Sequence, residues 1–269
     1  MLDKTPASRP DVVLRLTDVS LSFGGNHVLT AIDIDVHERE LLAIIGPNGA
    51  GKTSLFNVLS RLYDADKGEA RLFDRDLFKL APHDLAGLGV TRTFQNLLVL
   101  KELTVLENVI LGAHSLFTTP LTWSALGLPA VMRREREVRD QAMDALEFVG
   151  IANLASSMAG GLPFGHQRLL EIARCLVAEP RLIMLDEPSA GLSSSEVGLL
   201  ADVIRAIRSK QAVTILLVAH TMKLVLDVSD RIVVLDHGVK IADSTPDEVI
   251  GDPVVIEAYL GKAGSNAPN

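Results

Sequence analysis

The chain has 269 residues, of which 48% are apolar, so it is large enough to bury one extensive core. Its formal net charge of -8 argues against nucleic acid as a partner, because nucleic-acid-binding surfaces are basic. The single cysteine, Cys175, excludes an internal disulfide and is typical of a reducing cytosol, and the first residues carry no apolar segment of a secretory signal.

The first third of the chain predicts a half-buried antiparallel β layer followed by a buried central strand. Apolar and polar residues alternate in part over two segments, and the turn sequence Gly24-Gly25-Asn26 lies between them. A continuous apolar run predicts the central strand, and a helix and a short strand are expected after it. The predicted strands cover residues 12–23, 28–36, 41–45 and 69–73, and the predicted helix covers about 52–62.

The second half predicts helices and short buried parallel strands. Capping boxes predict helix starts at Thr104, with Glu107 three residues on, and at Ser193, with Glu196 three residues on. A proline at the first helical position predicts a further start at Thr245. Amphipathic patterns predict helices over 133–149 and 168–178, and apolar runs predict strands over 182–185, 214–219 and 232–235.

Residues 108–132 contain no charged residue, which raises the question of a membrane span. Pro120, Pro129 and several threonines and serines argue against a transmembrane helix. A loop between two helices and an apolar surface that meets another protein are both compatible with this composition. In either case we expect the segment to lie at the surface of the protein.

The sequence GPNGAGKTS, between the apolar run and the predicted helix, has the spacing and context of a phosphate-binding P-loop. Its glycines let successive backbone amides face one point, where the amides and the helix dipole attract phosphate. Lys52 is expected to reach the β- and γ-phosphates, and the Thr53 hydroxyl is expected to bind Mg²⁺. The predicted nucleotide-binding residues are Gly46, Pro47, Asn48, Gly49, Ala50, Gly51, Lys52, Thr53 and Ser54.

Two carboxylates follow the predicted strand over 182–185. Beside a P-loop strand, Asp186 is expected to hold Mg²⁺ through water, and Glu187 suits the general base that orients the attacking water. Gln95 has an oxygen that can bind Mg²⁺, although a surface glutamine is the simpler interpretation. His220 ends the strand over 214–219 and is expected to point into the active crevice, although a lone histidine is more often a core residue.

These motifs together resemble the nucleotide-binding subunits of ABC transporters over residues 12–261, nearly the whole chain. The most specific element is LPFGHQR at residues 162–168, which stands where the family has its signature sequence LSGGQ. The resemblance implies that Phe23 stacks on the adenine of ATP, that Ser193 lies in the D-loop and that His220 contacts the γ-phosphate. It also implies that Phe164, Gly165 and His166 contact the ATP held by an opposite subunit.

Two features depart from the family pattern. Pro163 stands in place of the signature serine, and Phe164 and His166 replace a glycine and the glutamine. Ser193 stands in place of the D-loop aspartate, and its role as a helix N-cap explains it equally well. Proline has neither a hydroxyl nor a backbone N–H. The phosphate contact is therefore expected to fall to the amides of Phe164, Gly165 and His166 at the helix start.

Within that family the chain is similar to the LivG-type ATPases of bacterial importers for branched-chain amino acids, through TRTFQN, ELTVLENV, LLEIARCL, HTMKLV and the ending AYLG. ATPases for urea, short amides and lipopolysaccharide export share much of this pattern. The resemblance implies a head-to-tail dimer, either of two identical subunits or with a second, LivF-like ATPase. It also implies transmembrane permease subunits, an external substrate-binding protein and a cytoplasmic location, peripheral on the inner face of the cell membrane.

The expected fold is a single α/β domain over residues 12–262, flanked by flexible termini at 1–11 and 263–269. It would combine a RecA-like P-loop NTPase core, an antiparallel β subdomain and an inserted helical subdomain over about 97–177. A soluble ABC-type ATPase without a membrane partner and a P-loop kinase or GTPase are the alternatives. Soluble ABC-type ATPases usually carry two nucleotide domains or long coiled-coil arms, and this sequence predicts neither. P-loop kinases and GTPases lack the signature sequence.

Overall fold

The computed structural model describes residues 11–95, 97–113 and 129–260. The strands are β1 (Val12–Phe23), β2 (Asn26–His37), β3 (Leu41–Ile45), β4 (Lys67–Leu72), β5 (Arg75–Asp76), β6 (Val90–Arg92), β7 (Leu182–Asp186), β8 (Thr214–Val218), β9 (Arg231–Asp236) and β10 (Val239–Ser244). The helices are α1 (Lys52–Leu59), α2 (Asp84–Gly87), α3 (Val105–Gly112), α4 (Pro129–Phe148), α5 (Phe164–Leu176), α6 (Ser194–Gln211), α7 (Met222–Val228), α8 (Pro246–Gly251) and α9 (Pro253–Leu260).

Two sheets organise the described residues. The antiparallel sheet has the strand order β2-β1-β4-β5, which confirms the predicted β layer. The larger sheet has the order β10-β9-β3-β8-β7-β6. Its strands run parallel except β10, which pairs antiparallel with β9. The predicted parallel strands are therefore confirmed, and β3 lies inside the sheet, between β9 and β8.

The central strand β3 separates two hydrophobic cores. Leu42 and Ile44 belong to the core beneath the antiparallel sheet, whereas Leu41, Ala43 and Ile45 belong to the core shared with the helices. Both faces of the strand are thus covered, and all five residues are buried. This is why the sequence shows a continuous apolar run here and not an alternating one.

The helices α3, α4 and α5 pack on one another. The capping box at Thr104 and Glu107 is present, as predicted. Asn108 is fully buried, and its side chain bonds the backbone of Leu100 and of Thr104. The expectation that the uncharged segment lies at the surface is therefore wrong for its first residues, because an asparagine with all its polar atoms bonded can be buried.

The remainder of that uncharged segment, residues 114–128, lies outside the described residues, as do the predicted flexible termini except Asp11. Within the described part of the chain, no helix is both long and apolar enough to cross a membrane.

Several element boundaries differ from the prediction. α5 begins at Phe164, four residues earlier than expected, because Pro163 can serve as the N-cap residue and its carbonyl accepts the first helical bond from Gln167. α4 begins at Pro129, a residue type that is favoured in a first helical turn. The short strands β5 and β6 and the edge strand β10 were not predicted, since few residues and incomplete burial leave them a weak pattern.

Candidate active site

The glycine-rich segment over residues 46–54 follows β3 and leads into α1, as predicted. A Cβ at Gly46 would lie 2.0 Å from the carbonyl oxygen of Leu235 in β9. Gly51 has a φ of +97°, and a Cβ there would lie 2.7 Å from the carbonyl oxygen of Val28 in β2. The loop is therefore held between the two sheets, and its path requires glycine at both positions.

Lys52 lies back across this loop. Its Nζ donates hydrogen bonds to the carbonyl oxygens of Gly46 at 2.7 Å and Pro47 at 2.9 Å. The residue is only 6% exposed. Burial lowers the pKa of the ammonium group, and the charge of Glu187 opposes that change. A bound phosphate would offer this buried cation charged oxygen acceptors in place of neutral carbonyls.

Asp186 ends β7, at the carboxyl edge of the larger sheet. Its Oδ2 accepts a hydrogen bond from Arg92 Nη2 at 2.8 Å, and both side chains are buried. Burial raises the pKa of Asp186, and the Arg92 guanidinium partly opposes this effect. Its Oδ1 is buried and has no hydrogen-bond partner in the described structure. A buried carboxylate oxygen without a partner fits Mg²⁺ or a Mg²⁺-bound water, since Mg²⁺ takes oxygen ligands.

Three predicted site residues, Glu187, Gln95 and His220, lie close together. Glu187 has a backbone φ of 46°, a left-handed conformation that is costly for a residue with a side chain. Its Oε2 accepts a hydrogen bond from Gln95 Nε2 at 3.3 Å and lies 3.6 Å from His220 Nδ1. The His220 side chain is 53% exposed, so it is not a core histidine. The carboxylate, the amide and the imidazole form one polar cluster beside Asp186.

Phe23 lies at the end of β1, and the residue is 46% exposed. The ring of Tyr63 packs edge-to-face against it, with the centroids 5.1 Å apart. An exposed aromatic face of this kind suits stacking on a nucleobase. Tyr63 was not predicted, because a single aromatic residue after a helix carries no motif.

The signature segment forms the start of α5. Pro163 is the N-cap residue, and Phe164 is the first helical residue, 43% exposed. The guanidinium of Arg168 lies 5.4 Å above the Phe164 ring. Arg168 also donates hydrogen bonds to the backbone oxygens of Phe94 and Gln95, at 3.3 and 2.9 Å. The start of α5 is thus attached to the segment that carries Gln95.

Gly165 faces a side chain of α6. A Cβ at residue 165 would lie 2.4 Å from Oε1 of Glu196. Glu196 and Ser193 form the capping box that the sequence predicts at the start of α6. Nδ1 of His166 is buried, and no described residue bonds it. A carboxylate of the same chain therefore already occupies the surroundings of the helix start that the sequence assigns to phosphate.

Residues 29–190 match the model of the ABC transporter family, a range that includes the P-loop, Gln95, the signature segment and Asp186-Glu187. The chain belongs to the ABC transporter family. Residues 239–265 also match the family described as branched-chain amino acid ATP-binding cassette transporter. The resemblance predicted from the motifs is therefore confirmed.

Relatives of this ABC protein match it over nearly their whole length. It is 42% identical to the high-affinity branched-chain amino acid transport ATP-binding protein BraF of Pseudomonas aeruginosa, over 95% of this chain and 100% of that protein. It is 39% identical to LivG of Escherichia coli, described in the same words, over 93% of this chain and 98% of that protein. A crystal structure of the ADP conformation of an ATP-binding cassette of an ABC transporter superimposes with a TM-score of 0.81, at 32% identity, covering 94% of this chain and 100% of that one. These matches confirm the predicted P-loop α/β fold and the assignment of the chain as an ABC ATPase.

Arg92, like Tyr63, is a residue of this ABC ATPase site that motif analysis missed. Besides the bond to Asp186, its guanidinium donates to the Phe56 carbonyl at 3.1 Å and to Ser60 Oγ at 2.7 Å. It also lies over the rings of Phe56 and Phe94. Arg92 therefore connects α1 and β7 with the segment before Gln95. An arginine inside TRTFQN has no mechanistic spacing of its own, so only the structure identifies its role.

Proposed function

We propose that this ABC ATPase drives the import of branched-chain amino acids. The match over residues 239–265 carries this proposal, because it concerns the segment of β10, α8 and α9 and not the shared catalytic motifs. α9 also lies close to the P-loop. Burial raises the pKa of Tyr259, and a hydrogen bond with the Gly46 backbone opposes that change. Urea, short amides and exported lipopolysaccharide remain the alternative cargoes, since this subunit would not contact the cargo.

ATP binds with its adenine on Phe23 and its phosphates at residues 46–54. Lys52 exchanges its two carbonyl partners for oxygens of the β- and γ-phosphates. Bound Mg²⁺ would be held by Thr53, Gln95 and, through water, Asp186, and it supplies positive charge that offsets the phosphate charge. The fit rests on the buried Oδ1 of Asp186, which has no other partner in the described structure.

Hydrolysis uses Glu187 as the general base. Its carboxylate accepts a proton from the attacking water, while the water oxygen forms a bond to the γ-phosphorus. The bond between that phosphorus and the bridging oxygen breaks, and ADP leaves with the electron pair. His220 contacts the γ-phosphate, and Gln95 positions the water and Glu187 through the bond it already makes.

The subunit works as a head-to-tail dimer with a second ABC ATPase, each P-loop facing the other subunit's signature segment. A groove beside Gln95 is suited to an apolar element of a permease on the inner face of the membrane. It has a volume of about 250 Å³ and is lined by residues that include Phe94, Leu98, Gly112 and Cys175. Leu98 is 52% exposed, a large fraction for an apolar residue at a concave surface.

The test is transport by the assembled complex in lipid vesicles, with ATP on the side of this subunit and the binding protein on the other. We expect radiolabelled leucine to accumulate with ATP and not with ADP, and Glu187→Gln to abolish accumulation. Transport of urea or of a short amide in place of leucine would contradict the proposed cargo. Failure of the chain to co-purify with any permease would support the soluble alternative.

A further inference from the structure

The capping glutamate of α6 has one carboxylate oxygen that the cap does not use. Ser193 donates to Oε2 of Glu196 from its amide at 2.8 Å and from its hydroxyl at 2.6 Å. The other oxygen, Oε1, is the atom that lies 2.4 Å from the Cβ position of Gly165. One carboxylate therefore joins the start of α6 to the start of α5.

The environment of Glu196 keeps this carboxylate ionised. The hydrogen bonds from Ser193 lower the pKa of Glu196 most, and His166 and the Gly165 backbone amide lower it further. An anion at a helix start is stabilised by the free amides and the dipole of that helix. The start of α5 is also the place where the sequence predicts a contact with the γ-phosphate of the opposite subunit's ATP.

We propose that Glu196 is an internal anion at the start of α5, which has to move away before that helix start can bind a nucleotide phosphate. The inference rests on the proposed function, because it assumes that the opposite subunit presents ATP to residues 163–166. While Glu196 stays in place, its negative charge opposes the phosphate and it competes for the Gly165 amide.

Pro163 makes this competition stronger than a serine would. Proline provides no hydroxyl and no N–H, so few donors remain at the helix start, and one of them faces Glu196. The D-loop position Ser193 belongs to the same capping box. Withdrawal of Glu196 from Gly165 would therefore also change the start of α6, so the two segments would respond together when the dimer closes.

The experiment compares Glu196→Gln with Glu107→Gln in the assembled transporter. Glu107 caps α3 through the same pair of bonds, from the amide and the hydroxyl of Thr104, both at 2.7 Å. The measured quantity is the ATP concentration that gives half-maximal ATPase activity. We expect Glu196→Gln to lower it about threefold to tenfold, because the amide keeps the shape and removes one charge beside a phosphate. Glu107→Gln is expected to leave it unchanged.

Varying the salt concentration separates an effect of the charge of Glu196 from an effect of its shape. Raising the ionic strength from about 0.05 M to about 0.5 M shortens the screening length severalfold, so the difference between wild type and Glu196→Gln should shrink. An equal or higher ATP requirement for Glu196→Gln would overturn the proposal, as would a difference that salt does not change. Loss of leucine uptake in Glu187→Gln tests the proposed function separately, so the two failures are distinguishable.

If Glu196→Gln does not fold, a second substitution at Ser193 can restore the N-cap of α6. Asparagine is as good an N-cap as serine and is neutral, so Ser193→Asn combined with Glu196→Gln restores the start of α6 without restoring the charge. The thermal midpoint of this double variant is compared with that of Glu107→Gln. We expect the double variant to show the same lowered ATP requirement, and a wild-type requirement in a folded double variant would also overturn the proposal.

Discussion

The two parts of this ABC ATPase that are proposed to face phosphate differ in the sign of the charge beside them. At residues 46–54 a buried lysine lies across a loop whose path two glycines fix. At the start of α5 a glutamate of the same chain lies against Gly165. Because phosphate is an anion, we expect the first part to attract it and, under the proposed role of Glu196, the second to oppose it until Glu196 moves. Under the proposed function, we expect the isolated subunit to bind ATP and its signature segment to become a site only in a dimer.

The cluster around Glu187 lies on the attracting side and gives the largest expected effect. Glu187→Gln keeps the side-chain shape and removes the proposed base, so we expect ATP binding to persist and turnover to fall by on the order of 10²–10⁴. The measurement is phosphate release by the assembled transporter. Glu179→Gln is the matched control, since Glu179 also has a left-handed backbone, with a φ of 47°, and its carboxylate accepts a hydrogen bond from Gln141 of α4. Turnover near the wild-type rate in Glu187→Gln would exclude Glu187 as the base.

Lys52→Ala tests the attraction itself. Removing the ammonium deletes charged hydrogen bonds to phosphate, each of which contributes about 1.5–3 kcal/mol, so we expect ATP affinity to fall about 10- to 100-fold or more. Calorimetry on the isolated chain measures it. The control is Lys79→Ala, an exposed lysine paired with Asp76. An unchanged affinity in Lys52→Ala would mean that residues 46–54 do not hold the phosphates.

His220→Ala is expected to separate turnover from affinity. The imidazole lies beside the Glu187 carboxylate, and in the proposed mechanism it contacts the γ-phosphate mainly in the closed dimer. We expect turnover to fall about tenfold, the effect of one lost hydrogen bond to a charged group, with little change in ATP affinity. His237→Ala, at a side chain that is 94% exposed, is the control. A large loss of affinity in the isolated chain would contradict a role confined to the closed state.

The positions of the residues on the attracting side can be predicted from the sequence because local patterns encode them. The loop over residues 46–54 lies between a strand and a helix, and Asp186 and Glu187 lie at a strand end, so short-range spacing and parallel strand order bring them together. Arg92 and Glu196 escape prediction because their partners, Asp186 and Gly165, are distant in the chain. In the sequence, the capping box with Ser193 is a sufficient reason for a glutamate at position 196. Only the packing shows that its second carboxylate oxygen lies near Gly165.

That contact also changes how Gly165 is interpreted. From sequence, Gly165→Asp is expected to eliminate turnover by crowding and repelling the phosphate of the opposite subunit. In the structure, the new side chain would first collide with Oε1 of Glu196 inside the same subunit. Loss of turnover in Gly165→Asp would thus follow from either cause, so this variant alone does not test the phosphate contact.

Pro163→Ser tests the start of α5 and is the substitution with the smallest expected effect on the protein. The backbone at Pro163, with φ −55° and ψ 150°, is the extended conformation of an N-cap residue, which serine also favours. A serine cap contributes about 1 kcal/mol, while loss of the proline ring costs about 0.4–1 kcal/mol through the unfolded chain, so the free energy of unfolding should change little. Urea unfolding of the isolated chain measures that quantity, with the exposed Pro82→Ser as the control for proline loss.

In the assembled transporter, Pro163→Ser is expected to keep or raise ATPase activity. The new hydroxyl can donate a hydrogen bond to the γ-phosphate of the opposite subunit, or accept one from the Gly165 amide in place of Glu196. Either contact would make phosphate binding at this helix start more favourable. The activity should therefore reach its half-maximum at the same or a lower ATP concentration than in wild type. If Pro163→Ser destroys turnover while its unfolding free energy stays unchanged, residues 162–166 do not face phosphate. The charge contrast between the two parts would then have no role in the reaction.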